Sequence, residues 1–154
     1  SGDWSSDVCS SDLKRQCLNT MVDASLRVIP AALAAAVIAY RLNALAVGRW
    51  GGGAVGLLVP AIEELCKTGG ACLLGAPIAL VHILFGAMEA VYDGYTAGQV
   101  RWAAAALSLA GHAVFGALTG WTAHRRGLPL AMLAAWILHA LWNSFTLRMA
   151  ENRE

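Results

Sequence analysis

Six polar side chains stand out in this sequence because each lies in an apolar stretch and each can hydrogen-bond or transfer protons. A charged side chain at the centre of a membrane helix costs roughly 2.5–3.5 kcal/mol even on the mildest scale, so such groups persist mainly around polar cavities, where they act in chemistry or transport. We therefore expect all six to converge on one intramembrane cavity. They are Glu63, Glu64, Glu89, His112, His139 and Asn143.

The first two carboxylates, Glu63 and Glu64, share their segment with a single lysine. Lys67 follows Glu63 by four residues, so helical spacing places both on one face. One lysine can neutralise only one of two adjacent carboxylates, and the spacing leaves open which one it pairs with. The other carboxylate lacks a counter-charge, which suits it to act as a general base.

The last apolar segment carries His139 and Asn143 four residues apart, and therefore on one helix face. Both side chains can donate hydrogen bonds to a single point, as an oxyanion site requires. The alternative is that they only hydrogen-bond a neighbouring helix and hold the fold together.

His112 begins a series of four-residue steps that continues with Gly116 and Gly120. Two glycines at this spacing predict a close contact between helices. His112 then either belongs to the polar cavity or only forms a hydrogen bond to a neighbouring helix.

The remaining intramembrane polar residues are less informative. Glu89 lies near the middle of its segment, whereas we expect Asp93 at the water boundary as an ordinary helix-end residue. His82 has no polar partner at helical spacing, so we interpret it as structural.

The composition indicates a membrane protein. Of 154 residues, 58% are hydrophobic and 14% are charged, whereas soluble domains carry roughly 25% charged residues. The net charge of +1 offers no basic surface, so we expect no nucleic-acid partner. We expect an integral membrane protein of one domain whose surroundings are the lipid bilayer.

Apolar segments separated by short polar breaks predict the elements that position these residues. About 20 residues cross the hydrocarbon as a helix, and only helices or closed barrels satisfy their backbones there. The last three segments reach that length, whereas Arg41 and Asn43 interrupt the first. No alternating strand pattern is present, so we predict an all-α polytopic transmembrane bundle of about four to five spans, with loops at Asp93–Arg101 and His124–Gly127. The segments are Val28–Tyr40, Gly53–Gly75, Pro77–Tyr95, Trp102–Ala123 and Leu128–Leu147.

The N-terminus has a different origin in our interpretation. Gly2–Leu13 reads GDWSSDVCSSDL, which matches the in-frame translation of a common sequencing adapter. We exclude it from the fold and expect it to be disordered, with Trp4 packing against nothing; the chain is then a fragment truncated at its N-terminus. The predicted divisions are the adapter at 1–13, a segment with a first span at 14–50, the core at 51–147 and a polar tail at 148–154.

Four motifs in order resemble the PrsW family of intramembrane proteases, which is related to the CAAX-protease and bacteriocin-processing superfamily. The resemblance covers Leu58–Phe145, and Pro60 before the glutamate pair also fits it. Two departures are Ala90, where PrsW-type members usually have asparagine, and fewer spans than those members carry. The motifs are Glu63-Glu64-Leu65-Cys66-Lys67, Phe85-x-x-x-Glu89, His112-x-x-x-Gly116 and His139-x-x-x-Asn143.

The resemblance implies hydrolysis of peptide bonds at or inside a bacterial cell membrane. The substrates would be other membrane proteins, such as an anti-sigma factor. Glu63, helped by His112, would deprotonate the attacking water, and His139 with Asn143 would hold the oxyanion.

The same resemblance assigns supporting roles. Glu64 would pair with Lys67, and Glu89 would hydrogen-bond a histidine. We expect no cofactor; the alternative is a catalytic zinc ion. Its ligands would be His112, His139 and Glu63 or Glu89.

The alternative function is that of a transporter or channel, because buried acids can relay protons or bind a cation. Transporters are typically built from inverted repeats, and the sequence shows no repeat. Asn143 does not titrate, so it has no natural place in a proton relay. A third hypothesis is a membrane scaffold without catalytic activity. The acids in question are Glu63, Glu64, Glu89 and Asp93.

Overall fold

The computed structural model describes residues 19–96 and 102–151, in which all regular structure is α-helical. The predicted all-α class is therefore confirmed for this part of the chain. The adapter-like residues 1–13, with Trp4, lie outside it. A helical stretch at 19–26 and a turn at Arg27 precede the first helix. The helices are α1 (Val28–Trp50), α2 (Gly53–Leu74), α3 (Ile78–Thr96), α4 (Trp102–Arg126) and α5 (Leu128–Glu151).

Glycines end two of the helices at short junctions. Gly75 ends α2 in the left-handed conformation (φ 63°), and Gly127, at φ 88°, is the single residue between α4 and α5. Glycine adopts these backbone angles without the steric cost of a Cβ, which is why it commonly follows a helix C-terminus. Pro129 lies in the first turn of α5, where its missing N–H is not needed.

The helices extend further than the polar residues in the sequence suggested. Helix α1 continues through Arg41 and Asn43, and α3 continues past Asp93 to Thr96. The predicted loop at His124–Gly127 was wrong, because α4 includes Arg126 and leaves only Gly127 outside a helix. Arginine has a high helix propensity and a side chain long enough to reach water from a helix end, so polarity there does not require a loop.

Small residues bring α1 and α2 together. Ala31, Ala35 and Ala39 recur at four-residue steps and are buried. A Cβ on Gly70 of α2 would lie 3.3 Å from the Ala31 carbonyl oxygen, so the two backbones are close. Asn43 is the next residue in the same four-residue series and therefore faces α2.

Glycines also create the contact between α3 and α4, where histidine rings lie against them. A Cβ on Gly86 would come within 2.5 Å of the His112 ring, and one on Gly116 within 2.6 Å of the His82 Cβ. A Cβ on Gly120 would meet none of the described atoms within 4 Å. The expected glycine pair is therefore corrected: only Gly116 makes the close contact, because the helices separate one turn later.

Two side chains of α5 donate hydrogen bonds to backbone carbonyl oxygens of α2 in the turns before Pro60. Pro60 lacks an N–H, and its ring disturbs the hydrogen bonds of the preceding turn. Trp136 of α5 donates its Nε1–H to the Leu57 carbonyl oxygen (2.9 Å), and Asn143 Nδ2 donates to the Val55 oxygen (3.2 Å). Neighbouring side chains that satisfy such backbone groups make proline tolerable in membrane helices.

Much of the outer surface is apolar, and leucine side chains are exposed on every helix. Two helical stretches, Asn19–Trp50 and Leu128–Met149, are long and apolar enough to cross a membrane. Extensive apolar surface of this kind is typical of contact with lipid or another protein. These two helices thus support a membrane location.

Candidate active site

Lys67 lies at the centre of the polar cluster and is fully buried. Its Nζ is 2.8 Å from Glu64 Oε1 and 3.6 Å from Glu63 Oε2. The shorter contact answers the question left open by the spacing, because Lys67 makes its close ion pair with Glu64. The same Nζ lies 3.3 Å from His112 Nδ1 and 4.7 Å from the centre of the Phe85 ring.

Glu64 is held from three helices. Its Oε1 contacts Lys67 and also accepts a hydrogen bond from His139 Nδ1 at 2.9 Å. Its Oε2 lies 3.7 Å from Nδ1 of His82, whose Nε2 is 3.3 Å from Thr68 Oγ1. His82 therefore belongs to the cluster, although we interpreted it from the sequence as only structural. Its position seven residues before Glu89, two helical turns away on the same face, is the signal that could have identified it.

Glu63 has different surroundings. Its Oε1 accepts a hydrogen bond from Asn43 Nδ2 at 3.1 Å. Its Oε2 has no hydrogen-bond partner among the described residues and lies 3.8 Å from His139 Nε2. Buried polar atoms are nearly always hydrogen-bonded to protein or water, so this oxygen is a place for a bound water. Asn43 was missed because its partner is on another helix; its place in the alanine series was the available signal.

Glu89 and His112 form a close pair across α3 and α4. His112 Nε2 and Glu89 Oε2 are 2.5 Å apart. An ammonium can only donate, so the Lys67 contact makes His112 Nδ1 the acceptor and leaves Nε2–H to donate to Glu89. Glu89 thus hydrogen-bonds a histidine, as expected. Both His112 nitrogens are already engaged with Lys67 and Glu89, so the ring has no free lone pair to accept a proton from a water at Glu63.

His139 and Asn143 retain limited capacity to bind an oxyanion. The His139 Nδ1–H donates to Glu64, so Nε2 can donate only if the ring carries a second proton. One N–H of the Asn143 amide donates to the Val55 carbonyl oxygen, and the second remains available. His139 also stacks on Phe115, with ring centres 5.3 Å apart.

A cavity of about 240 Å³ opens beside these residues between α3, α4 and α5. The volume accommodates several waters, each of which occupies about 30 Å³ in the liquid, or part of an extended peptide. Asp93 is in its wall, and not merely at a helix end as expected. The six predicted residues therefore lie close together. Four of them line the cavity, namely Glu89, His112, His139 and Asn143. Glu63 and Glu64 lie next to His139 in its wall. The polar lining residues are Glu89, Asp93, Ser108, His112, His139, Asn143 and Thr146.

Glu63, Glu89 and His112 place ligand atoms within 4.8 Å of one another, which is close enough for one metal ion. This group differs from the zinc ligands expected from the sequence, since it contains both Glu63 and Glu89 and lacks His139. The fit is incomplete, because His112 Nε2 is already paired with Glu89 and Nδ1 with Lys67. A metal would have to displace one of those contacts.

No protein-family model matches this chain, and no curated protein or solved structure matches it either. The resemblance to PrsW-type proteases therefore rests on the residues and their arrangement.

Proposed function

We propose that this chain is the core of an intramembrane endopeptidase of the PrsW type that hydrolyses peptide bonds with a glutamate-activated water. One observation carries the proposal. Both buried carboxylates keep one oxygen without a hydrogen bond, but Glu64 makes the close ion pair with Lys67 and accepts from His139, whereas Glu63 has no close ion pair. The unbonded Oε2 of Glu63 lies 3.8 Å from the cavity residue His139. A base must have a free lone pair within reach of the water proton that it removes. Glu63 has this property.

The mechanism uses residues around Glu63 Oε2. This oxygen takes a proton from a bound water, and the hydroxide attacks the scissile carbonyl carbon. The free N–H of Asn143 binds the developing oxyanion, with His139 Nε2 when the ring is doubly protonated. Collapse of the tetrahedral intermediate breaks the C–N bond, and protonated Glu63 returns its proton to the leaving amine.

The remaining cluster residues keep this arrangement in place. Lys67 joins Glu64 to His112, and His112 in turn orients Glu89 at the cavity wall. These contacts link α2, α3 and α4, so the base and the cavity are held at a fixed separation.

We further propose that all five helices cross the bilayer. Their lengths of 19 to 25 residues correspond to about 28–38 Å, close to the 30 Å hydrocarbon thickness. The charges of α2 are turned inward and buried, so lipid meets its apolar side. The proposed location is the bacterial cell membrane, and the proposed substrates are membrane proteins such as an anti-sigma factor.

A transporter accounts for the cluster less well. Cation binding by Glu64 would compete with Lys67, which already occupies the position of a bound cation 2.8 Å from the carboxylate. A lysine held in this position favours a permanently ordered site over one that binds and releases a transported cation.

The central test is Glu63→Gln in purified protein reconstituted in liposomes with fluorogenic transmembrane peptides. Turnover is expected to fall to background, because the amide cannot accept the water proton. Asn143→Ala should lower the rate on the order of 10²–10³-fold, as for other oxyanion donors. Asp23→Asn, an equivalent change at an exposed carboxylate, is the matched control and should be active. Turnover by Glu63→Gln at the control rate would refute the mechanism.

Metal dependence is tested separately. Activity is expected to persist after exhaustive treatment with a strong chelator. Loss of activity that zinc restores would instead assign a metal to Glu63, Glu89 and His112 while leaving the proposed peptidase activity in place.

A further inference from the structure

Asn43 and Glu63 form a hydrogen-bonded pair in which each side chain still has an unsatisfied oxygen. Asn43 Nδ2 donates to Glu63 Oε1 at 3.1 Å. Asn43 Oδ1 and Glu63 Oε2 are both buried and without a hydrogen-bond partner in the described part of the chain. A single water could donate one hydrogen bond to each of these two acceptor oxygens.

Helix packing fixes where Asn43 lies. The buried series Ala31, Ala35 and Ala39 holds α1 against α2, with Gly70 allowing the backbones to approach. Asn43 extends this series by one turn, so its amide is delivered to α2 at the level of Glu63. The position is set by the interface and does not depend on a flexible loop.

The hydrogen bond has a specific effect on the carboxylate. It occupies Oε1 and opposes rotation of Glu63 towards Lys67, whose Nζ is 3.6 Å from Glu63 Oε2 and 2.8 Å from Glu64 Oε1. A carboxylate drawn into a close ion pair loses reactivity as a base because its lone pair is occupied. Asn43 thus keeps Oε2 free.

We propose that Asn43 is a positioning residue for the water-activating carboxylate of Glu63, which makes α1 part of the active site. The inference rests on the proposed peptidase function. It assigns a residue outside the four motifs that carry the family resemblance, which begins only at Leu58.

The test compares Asn43→Leu, which has similar volume but no donor, with Asn43→Gln, which retains an amide. Asn43→Leu is expected to lower kcat about 10- to 100-fold with little change in KM, because a hydrogen bond to a charged group is lost. Asn43→Gln should recover part of the rate. Tyr40 lies on the same helix as Asn43 but outside the cluster, and it accepts a hydrogen bond from Tyr92 of α3. Tyr40→Phe removes that hydrogen bond and is the matched control. Asn43→Ala replaces the leucine variant if the latter does not fold.

Two further measurements separate positioning from a structural role. Asn43→Leu should change the shape of the pH–rate profile, whereas general loosening of the fold would only scale it. In a Glu63→Asp background the shorter side chain cannot reach Asn43, so Asn43→Leu should cost no more than about twofold.

The outcomes are distinguishable. An active wild-type protein whose folded Asn43→Leu variant keeps its kcat would overturn this inference alone. A wild-type protein that is inactive, or as active with Glu63→Gln as without it, would overturn both this inference and the proposed function.

Discussion

Glu63 and Glu64 are adjacent in the chain but have different partners. Glu64 accepts from Lys67 and His139, whereas Glu63 accepts only from Asn43. A helix rotates about 100° between neighbouring residues. Glu63 therefore reaches Asn43 of α1 and Glu64 reaches His82 of α3, although both lie near His139 of α5. The proposed division into a holding role for Glu64 and a reactive role for Glu63 rests on this difference.

These states predict different costs of neutralisation. Glu64→Gln should lower the free energy of unfolding by about 3–5 kcal/mol, because it leaves the buried Lys67 without its close counter-charge. Glu63→Gln should cost clearly less, since its contact with Lys67 is long. Denaturant unfolding in detergent provides the measurement, and Glu64→Gln combined with Lys67→Met should recover part of the loss. A larger cost for Glu63→Gln would contradict the proposed division of roles.

Only interactions within one helix could be predicted from spacing. The pairing of Lys67 with the glutamates and the shared face of His139 and Asn143 follow from steps of three and four residues. The contacts of Asn43 and His82 could not be predicted, because their partners lie on other helices, 20 and 14 to 18 residues away. Such contacts depend on helix packing, which spacing along one chain does not determine.

At the scale of helices, the site depends on glycines that admit histidine rings. The His82 side chain lies against Gly116, and the His112 ring against Gly86. The four-residue glycine step predicted a close contact, but only the packed bundle shows which glycine makes it. The ends of helices were likewise predicted well at glycine and proline. They were predicted poorly at charged residues, because a helix can continue through charged residues near its end.

Gly116→Ala is therefore expected to destabilise the protein by about 1–3 kcal/mol through overpacking, because the new Cβ would meet His82 and the α3 backbone. Gly120→Ala, one turn along the same helix, is the matched control and should be neutral or slightly stabilising, since alanine favours helix. Thermal unfolding in detergent distinguishes them. Equal effects of the two substitutions would show that α3 and α4 are not in close contact at Gly116.

At the scale of the whole molecule, two arrangements in the membrane differ in a simple way. If all five helices cross, three spans separate the α1–α2 junction from the α4–α5 junction, which places the two on opposite sides. If only the two most apolar stretches cross, both junctions lie on the same side. The close packing of α2, α3 and α4 around a buried charged cluster favours the first arrangement.

Single cysteines at Gly52 and Arg126, in a background without the native cysteines, test this directly. Both positions are exposed. We expect a membrane-impermeant maleimide added to intact cells to label only one of the two variants, and to label the other only after the membrane is permeabilised. Labelling of both variants from the same side would contradict the five-span arrangement.

The ion pair between Glu64 and Lys67 also bears on how the protein is made. Both residues leave the ribosome together, whereas His139, the other partner of Glu64 Oε1, is synthesised 75 residues later. At about 5–20 residues per second, the delay is roughly 4–15 s. During that interval α2 has only its own lysine to offset its glutamates. The three-residue spacing therefore gives the nascent helix an internal counter-ion before α3, α4 and α5 exist.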